Sequence, residues 1–269
     1  MKLGLFGFPV SHSRSPRLFA RLSRLLKRPI SYEAVAAEPG TLAARVAVAR
    51  DAGWRGANVT VPLKEEAFAA AATLTPAAKA LGAVNVLRFG RVVTGHNTDG
   101  EGLRDAFRRA GVTARGRRAL IFGAGGAARA AGWALARDGA KSVRFTARTA
   151  HRAKKAAAEL ARIFPRTQVS AGAAAPADIW INATPLGMNG FPDRTPAPKG
   201  IASPSAAIDL VYGRRTAFQR DAKRRGAKVS DGSAMLVYQA LRAWEYWDKP
   251  LGRVKREALA ERLIKEVAS

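Results

Sequence analysis

A short apolar strand that leads into glycines and then into an alanine-rich helix constrains the fold of this chain more than any other stretch. It runs from Ala119 to Arg129 and reads ALIFGAGGAAR. Gly123 can make the tight turn, Gly125 lets a phosphate approach the backbone, and Ala128 lets the helix pack closely on its strand. The N-terminus of the helix offers free N–H groups and a positive dipole end to phosphate. The pattern predicts a Rossmann-type dinucleotide-binding domain.

The segment after the next strand indicates which dinucleotide is bound. The helix ends near Gly139, a strand is predicted from Ser142 to Thr146, and no Asp or Glu occurs between residues 141 and 155. Arg148-Thr149 and Arg152 stand where an acidic residue would bind the ribose of NAD. Because guanidinium groups suit a 2′-phosphate, the sequence favours NADP over NAD.

Composition excludes several kinds of catalytic site. The 269 residues suffice for one large α/β domain or two smaller ones, and we favour two. The chain has no cysteine, which rules out disulfides, thiolate catalysis and zinc bound by cysteine. Its three histidines, His12, His96 and His151, are too scattered to predict a metal site.

The N-terminal residues do not resemble a signal peptide, since Pro9 and Ser11 interrupt the first apolar residues early. No apolar run is long enough to span a membrane. We therefore expect a soluble cytoplasmic protein without a membrane partner, either a monomer or a homodimer.

The chain is strongly basic, with a formal net charge of +26 and a pI near 11.5. Its basic residues are spread over many segments and do not alternate with aromatic residues as in a stacking surface. We interpret them as a solvated surface that attracts anionic substrates and binds nucleic acid only loosely at low salt. No specific nucleic-acid partner is predicted.

Strands and helices alternate along the chain, which predicts an α/β fold with mostly parallel strands. Early strands are expected at residues 2–6, 31–36 and 57–61, followed by a pair at 83–87 and 91–96, with Ser15 as the N-cap of the first helix. We expect a substrate-binding and catalytic domain over residues 1–99, completed by C-terminal helices in 232–269. A Rossmann-type NADP-binding domain is expected over residues 100–231, with a cleft between the two domains.

Polar residues cluster around the ends of the first-domain strands, where ligands of α/β sheets bind. Ser13 and Ser15 follow the first strand, Thr60 and Lys64 the third, Asn85 is expected within the fourth, and Asn97 and Asp99 follow the fifth. Hydroxyl, amide and ammonium groups can hold a carboxylate and the hydroxyls of a polyol ring.

Hydride transfer to or from an alcohol carbon also needs a group that handles the hydroxyl proton. Without a good histidine candidate, Lys64 and Asp99 are the natural pair, with Asp99 holding the lysine. Each polar residue also has an ordinary structural explanation: Ser15 as a helix cap, Asn85 as a partner of the backbone, and Lys64 as part of a solvated first helical turn.

Eight motifs, in order and over almost the whole chain, resemble those of the shikimate dehydrogenase family. They are SRSP from Ser13, ANVTVPLK from Ala57, GAVN from Gly82, NTDG from Asn97, GAGGAAR from Gly123, Arg148-Thr149, INATP from Ile181 and LVYQ from Leu236. The resemblance implies NADPH-dependent, reversible reduction of 3-dehydroshikimate to shikimate in aromatic amino-acid biosynthesis.

The resemblance also implies a role for individual residues. Lys64 and Asp99 would act at the reacting carbon, and Ser13 and Ser15 would bind the substrate carboxylate. The ring and its hydroxyls would be bound by Thr60, Asn85, Gln239 and Tyr212. The cofactor would be bound by Gly123, Ala124, Gly125, Gly126, Ala127, Arg148, Thr149, Arg152, Thr184, Gly232 and Met235.

Two positions bear on specificity. Ala147 stands where the family commonly has asparagine before the Arg-Thr pair, so one hydrogen bond near the adenosine ribose is expected to be missing. Ser15 favours shikimate over quinate, since relatives that prefer quinate tend to differ there. Three hypotheses remain: a shikimate dehydrogenase, a quinate or dual-specificity relative, and a basic protein that binds nucleic acid or senses NADP without catalysis.

Overall fold

The computed structural model describes residues 1–11 and 13–268, which divide into two compact units. The first unit comprises Met1–Asp99 and Val237–Val267, and the second comprises Gly100–Leu236. His12, one of the histidines considered for a metal site, lies outside the described residues. Within the described ranges, no three His, Asp or Glu side chains group to hold a metal ion. No helix in these ranges has the length and apolarity needed to cross a membrane.

The first unit is built on a six-stranded sheet. Its elements from the N-terminal segment are β1 (Lys2–Gly7), α1 (Ser15–Leu26), β2 (Ser31–Ala36), α2 (Leu42–Asp51), β3 (Gly56–Val59), α3 (Lys64–Ala70), β4 (Thr73–Leu74), α4 (Pro76–Leu81), β5 (Val86–Phe89) and β6 (Val93–His96). The strand order is β2-β1-β3-β5-β6-β4. A core of buried apolar residues that includes Phe6, Leu42 and Val59 packs β1 and β3 against α2.

The direction of β5 sets the arrangement of polar groups at one edge of this sheet. β5 runs antiparallel to both β3 and β6, whereas β1 pairs in parallel with β2 and β3. Asn85 was expected within the strand, but it directly precedes β5. Because β5 is reversed, its beginning lies at the edge where β3 and β6 end. The short strand β4 was not predicted.

The first helix is capped differently from the expectation. Ser15 is its first residue rather than its N-cap, and Arg14 occupies the cap position without a side-chain cap. The Ser13 hydroxyl accepts a hydrogen bond from the Ser15 N–H at 3.2 Å, and Pro16 follows in the first turn, where its missing N–H costs little. The predicted capping function therefore belongs to Ser13.

The C-terminal part of the first unit packs on its sheet through Trp247. This residue ends α9 (Ser233–Trp247), which is followed by α10 (Arg253–Ala268). The buried Trp247 indole N–H donates to the Leu87 carbonyl at 2.8 Å. A Cβ at Gly56 would lie 2.3 Å from the indole nitrogen, so only glycine allows the ring to pack this closely on β3.

His96, the last residue of β6, is held in a neutral state by its surroundings. Its ring stacks on Tyr246 at 4.4 Å, and Nδ1 lies 2.8 Å from the Thr75 hydroxyl. Burial lowers the pKa of His96 from 6.5 to about 4, because the charged form loses hydration. The Arg88 guanidinium lies over the Tyr246 ring, 5.1 Å from its centre.

His96 makes the free energy of unfolding depend on pH. Because its pKa is lower in the folded chain than in the unfolded one, its contribution is complete above pH 6.5 and is lost as the pH falls through about 4. We expect this group to remove about 3 kcal/mol of unfolding free energy between pH 7 and pH 4. Urea unfolding of the wild type and of His96→Gln at a series of pH values measures the difference. Equal pH dependence in the two proteins would refute the assignment.

The second unit is built on a parallel sheet with an α-helix in each of its first two crossovers. Its elements are α5 (Asp99–Arg109), β7 (Arg118–Phe122), α6 (Gly126–Arg137), β8 (Ser142–Thr146), α7 (Ala150–Ile163), β9 (Gln168–Ala171), β10 (Ile179–Asn182), β11 (Ala206–Asp209), α8 (Ala217–Arg224) and β12 (Lys228–Ser230), with the first turn of α9.

The strand order of the second sheet is β12-β11-β10-β7-β8-β9, and every neighbouring pair is parallel. This is the Rossmann order, in which the chain runs outward from β7 through β8 to β9 and then crosses back to β10 on the other side of β7. Small residues allow the helices to approach: a Cβ at Gly132 of α6 would lie 2.7 Å from the Phe145 ring. The predicted α/β class with a Rossmann-type sheet is confirmed.

Candidate active site

Three elements of the first unit, β3, α3 and β6, bring the predicted catalytic pair together. Lys64 is the first residue of α3, which follows β3, and Asp99 follows β6. Lys64 Nζ lies 2.6 Å from Asp99 Oδ2. The Asp99 side chain is 6 % exposed and that of Lys64 is 19 % exposed, so the carboxylate is buried while the ammonium group retains access to a ligand. The two residues predicted to meet therefore form an ion pair.

Asn85 fixes the orientation of that carboxylate. Its amide nitrogen donates to Asp99 Oδ1 at 2.8 Å and to the Thr98 hydroxyl at 3.0 Å. Its amide oxygen accepts from the Thr98 N–H at 2.8 Å. The Thr98 hydroxyl also lies 3.3 Å from that oxygen, so the Asn85 side chain is hydrogen-bonded inside the protein at both ends of its amide. Asn97 supports the same turn, since its side-chain oxygen accepts from the Asp99 N–H at 2.9 Å.

Two further polar residues, Tyr32 and Asn58, are hydrogen-bonded to this group, and the sequence motifs gave neither of them a role. The Tyr32 hydroxyl donates to Asn58 Oδ1 at 2.8 Å, and Asn58 Nδ2 donates to the Asn85 carbonyl at 3.2 Å. Burial raises the pKa of Tyr32 far above its usual range, so its hydroxyl stays protonated. Hydrogen bonds thus connect Tyr32 with Asn85 and, through it, with the ion pair.

The signal for Asn58 is present in the sequence. It is a polar residue inside an apolar strand, between Ala57 and Val59, and it is 5 % exposed. Such a residue needs internal hydrogen bonds, because leaving its amide unpaired would cost about 1 to 3 kcal/mol. Its partners lie far away in the chain, so sequence alone does not identify them.

The remaining predicted substrate residues lie in different places. Ser13 is half-buried in the loop before α1, and Ser15 is buried. Thr60 follows β3. A Cβ at Gly7 would lie only 2.4 Å from the Thr60 methyl group, so glycine at position 7 allows the ends of β1 and β3 to approach each other. Gln239 is half-buried on α9 within the first unit. Tyr212 belongs to the second unit, where it is half-buried after β11.

The glycine-rich loop of the second unit has the geometry of a phosphate site. Gly123 has φ = +117°, and a Cβ there would lie 2.7 Å from the Ala183 carbonyl oxygen, so only glycine fits. By contrast, Cβ atoms at Gly125 and Gly126 would meet nothing within 4 Å. No contact within the protein requires these two glycines, and they leave space at the N-terminus of α6. Ala124 and Ala127 complete the turn and are half-buried.

Arg148, Thr149 and Arg152 follow β8, the strand next to β7. Both arginine side chains are exposed, and neither forms an ion pair with a carboxylate in the described part of the chain. Thr149 is half-buried at the N-cap position of α7. Two unpaired guanidinium groups near the end of this strand are suited to an additional phosphate.

The other predicted cofactor residues lie near the ends of β10 and β12. Thr184 follows β10 and donates through its hydroxyl to Asn182 Oδ1 at 2.6 Å. Gly232 precedes α9, and a Cβ there would lie 2.3 Å from the Leu210 carbonyl oxygen, which gives this glycine a packing reason of its own. Met235 is half-buried in the first turn of α9.

Comparisons with known proteins agree with this geometry. Residues 5–87 match the family model described as the shikimate dehydrogenase substrate binding domain. The shikimate dehydrogenase (NADP(+)) of Rubrobacter xylanophilus is 40 % identical over 96 % of this chain and 95 % of its own length. That of Moorella thermoacetica is 37 % identical over 98 % of this chain and 92 % of its own length.

Solved structures agree as well. The crystal structure of shikimate 5-dehydrogenase from Thermus thermophilus, in complex with NADP(H) and shikimate, superposes with a TM-score of 0.86 at 34 % identity. The match covers 98 % of this chain and 99 % of that one. The resemblance carried by the eight sequence motifs is thereby confirmed, and the chain belongs to the shikimate dehydrogenase family.

Proposed function

We propose that this protein catalyses the reversible, NADP-dependent reduction of 3-dehydroshikimate to shikimate. The observation that carries the proposal is the 2.6 Å ion pair of Lys64 and Asp99, oriented by Asn85, in a chain that is 40 % identical to an NADP-dependent shikimate dehydrogenase. A protein that only bound nucleic acid or sensed NADP would not need a buried carboxylate to hold a partly exposed lysine. The Met1–Asp99 segment with the C-terminal helices is the substrate domain, and the second unit is the cofactor domain.

Lys64 handles the proton in this mechanism. NADPH, when bound, supplies the hydride that reduces the ketone carbon. As the C=O bond becomes a C–O bond, the Lys64 ammonium group donates a proton to the oxygen, and in the reverse direction the neutral amine takes the proton from the hydroxyl. Asp99 accepts a hydrogen bond from Lys64 and directs the lysine side chain, while Asn85 keeps the carboxylate from rotating.

The other groups of the first unit bind the substrate. Ser13 and Ser15 lie in one short segment, and their hydroxyls donate to the substrate carboxylate. Thr60, Asn85 and Gln239 bind the ring hydroxyls. Tyr212 also contacts the substrate.

The residues of the second unit fit NADP. Gly125 and Gly126 leave space at the N-terminus of α6 for the pyrophosphate, with Gly123, Ala124 and Ala127 forming the turn around it. Arg148 and Arg152 bind the 2′-phosphate, and Thr149, at the N-cap position of α7 without a side-chain capping bond, also contacts the cofactor. Thr184, Gly232 and Met235 contact the nicotinamide end. Ala147 removes one hydrogen bond near the ribose and leaves the two cationic contacts in place.

The test compares substrates and cofactors with the purified full-length protein. NADP-linked oxidation of shikimate is expected to exceed oxidation of quinate by at least about tenfold in kcat/KM, since the site positions hydrogen bonds for one pattern of hydroxyls. NAD serves as the cofactor control. Comparable turnover of quinate would indicate a dual-specificity enzyme. Absence of turnover, together with RNA retained at physiological salt, would instead support the non-catalytic binder.

A further inference from the structure

Asp209 is a buried carboxylate at the end of β11 to which the proposed mechanism gives no role. It is fully buried, and no Lys or Arg in the described ranges pairs with it. Four donors surround it: Asn182 Nδ2 at 2.8 Å, the Val211 N–H at 3.1 Å, the Thr216 hydroxyl at 2.5 Å and Gln219 Nε2 at 3.2 Å. Burial raises the pKa of Asp209, and these hydrogen bonds oppose that rise.

One of these donors connects Asp209 to a predicted cofactor residue. Asn182 is also fully buried, and its amide nitrogen faces Asp209 because an ionised carboxylate can only accept hydrogen bonds. Its amide oxygen must then face the opposite way, where it accepts from the Thr184 N–H at 3.1 Å and from the Thr184 hydroxyl at 2.6 Å. Asp209, together with the Leu186 carbonyl that lies 3.3 Å from the same nitrogen, therefore holds the Asn182 amide with its oxygen toward Thr184.

This connection ends at the nucleotide site. Thr184 follows Ala183, whose carbonyl oxygen would lie 2.7 Å from a Cβ at Gly123. β7 and β10 are neighbours in the sheet, and the chain leaves them in opposite directions, so the loops beyond their ends form the crevice in which Rossmann folds bind dinucleotides. The segment that Asn182 holds is thus one wall of that crevice.

A second donor connects Asp209 to the predicted substrate residue Tyr212. The Asp209 carboxylate accepts from the N–H of Val211, the residue that precedes Tyr212. The Val211 carbonyl in turn accepts from the Gly232 N–H at 3.1 Å. The backbone on the N-terminal side of Tyr212 is therefore held both by Asp209 and by the segment that starts α9.

We propose that Asp209 is a positioning residue for hydride transfer, which places Thr184 through Asn182 and the Tyr212 segment through Val211. This inference rests on the proposed function, because the roles of Thr184 and Tyr212 come from it. Asp209 also accepts from Thr216 and Gln219 at the start of α8, so a test of its role must separate positioning from loss of stability. An acceptor with no hydrogen to donate is needed to keep the Asn182 amide in one orientation.

The test replaces Asp209 by asparagine, which keeps the shape but brings two hydrogens toward the surrounding donors. We expect kcat for shikimate oxidation to fall by about 10²-fold, as for a misplacement of about 1 Å, while the Kd of NADP⁺ changes by less than about threefold. The affinity is retained because the phosphate contacts are elsewhere in the unit. The matched control is Asp178→Asn at the opposite end of β10, where the carboxylate binds Arg118, and its kcat should stay within about twofold of the wild type.

Double variants separate positioning from general destabilisation. If Asp209 acts through Thr184, then Asp209→Asn combined with Thr184→Val should be no slower than the worse single variant, whereas independent effects would multiply. Thr184→Ser keeps the hydroxyl and should restore most of the activity lost in Thr184→Val. If Asp209→Asn does not fold, Asn182→Ser carries the same test, since it removes only the amide between Asp209 and Thr184. Wild-type kcat in the folded variant, or multiplicative losses, would overturn the proposal.

Hydrogen exchange provides a measurement that does not depend on activity. Asp209→Asn is expected to speed exchange of the Thr184 and Val211 amides by about tenfold or more, since both lose a fixed acceptor, whereas Asp178→Asn should leave them unchanged. If the wild-type protein does not oxidise shikimate, the proposed function fails, and this measurement still decides whether Asp209 holds the two segments. Unchanged exchange at both amides would refute the positioning role.

Discussion

Replacing Lys64 by alanine is expected to lower kcat by about 10²- to 10⁴-fold, while KM for shikimate changes by less than about tenfold. The variant removes the group that exchanges a proton with the substrate oxygen, and this interaction counts mainly in the transition state. Steady-state oxidation of shikimate with NADP⁺ measures both constants. Lys64→Arg is expected to be nearly as inactive, because a guanidinium group keeps the charge beside Asp99 but does not release its proton at neutral pH.

Two results would remove Lys64 from the chemistry. One is a kcat for Lys64→Ala near that of the wild type, and the other is substantial activity in Lys64→Arg, which would mean that positive charge alone suffices. The control is Lys79→Ala, an exposed lysine of α4 in the same unit, which should leave both constants unchanged. Near-ultraviolet circular dichroism of each variant excludes loss of the fold as the cause.

The second unit was predictable because its signals are local. The strand, the glycine turn and the helix from Gly126 lie within about twenty residues, and each glycine has a reason that can be read from its neighbours in sequence. The positive φ of Gly123 and the open space at Gly125 are what those reasons require. A helix between two strands lets the chain return and pair them in parallel. Such crossovers are nearly always right-handed, which leaves few possible topologies.

The first unit was harder because its sheet depends on pairing between distant segments. The sequence showed the β5–β6 pair around Gly90, but not that β5 also runs antiparallel to β3, which is what places Asn85 at the edge where β3 ends. β4 has two residues, too few for a periodic pattern, and it exists because Thr73 and Leu74 pair with β6. The N-cap of α1 is Arg14 and not Ser15, and the Ser13 hydroxyl accepts from the Ser15 N–H, a difference of one or two positions that backbone conformation decides.

The site shows the same difference between residues that the sequence could predict and residues that it could not. The residue types required by the chemistry indicated Lys64 and Asp99, and the structure brings them to 2.6 Å. Tyr32, Asn58 and Asp209 do not follow from the chemistry, because they act on other side chains and their partners are distant in sequence. What the sequence offers for Asn58 and Asp209 is a polar residue in an apolar strand, which predicts internal hydrogen bonds without naming the partner.

We expect the preference for NADP to depend on two exposed arginines that no carboxylate of the described residues neutralises. Arg148 follows β8, and Arg152 lies in the first turn of α7. A 2′-phosphate carries about two negative charges near neutral pH and accepts charge-assisted hydrogen bonds from guanidinium groups, each contributing about 1.5 to 3 kcal/mol. NADH lacks this phosphate, so the same contacts contribute nothing to its binding.

The double variant Arg148→Ala/Arg152→Ala is therefore expected to lower kcat/KM for NADPH by about 10²- to 10³-fold and that for NADH by less than about threefold. Reduction of 3-dehydroshikimate with each cofactor measures the two changes. The matched control is Arg162→Ala/Arg166→Ala, which removes the same charge from exposed positions near the other end of α7. Because the net charge is +26, long-range attraction could mimic a specific contact, and this control measures that contribution. Equal losses for NADPH and NADH, or an equal loss in the control, would contradict the 2′-phosphate assignment.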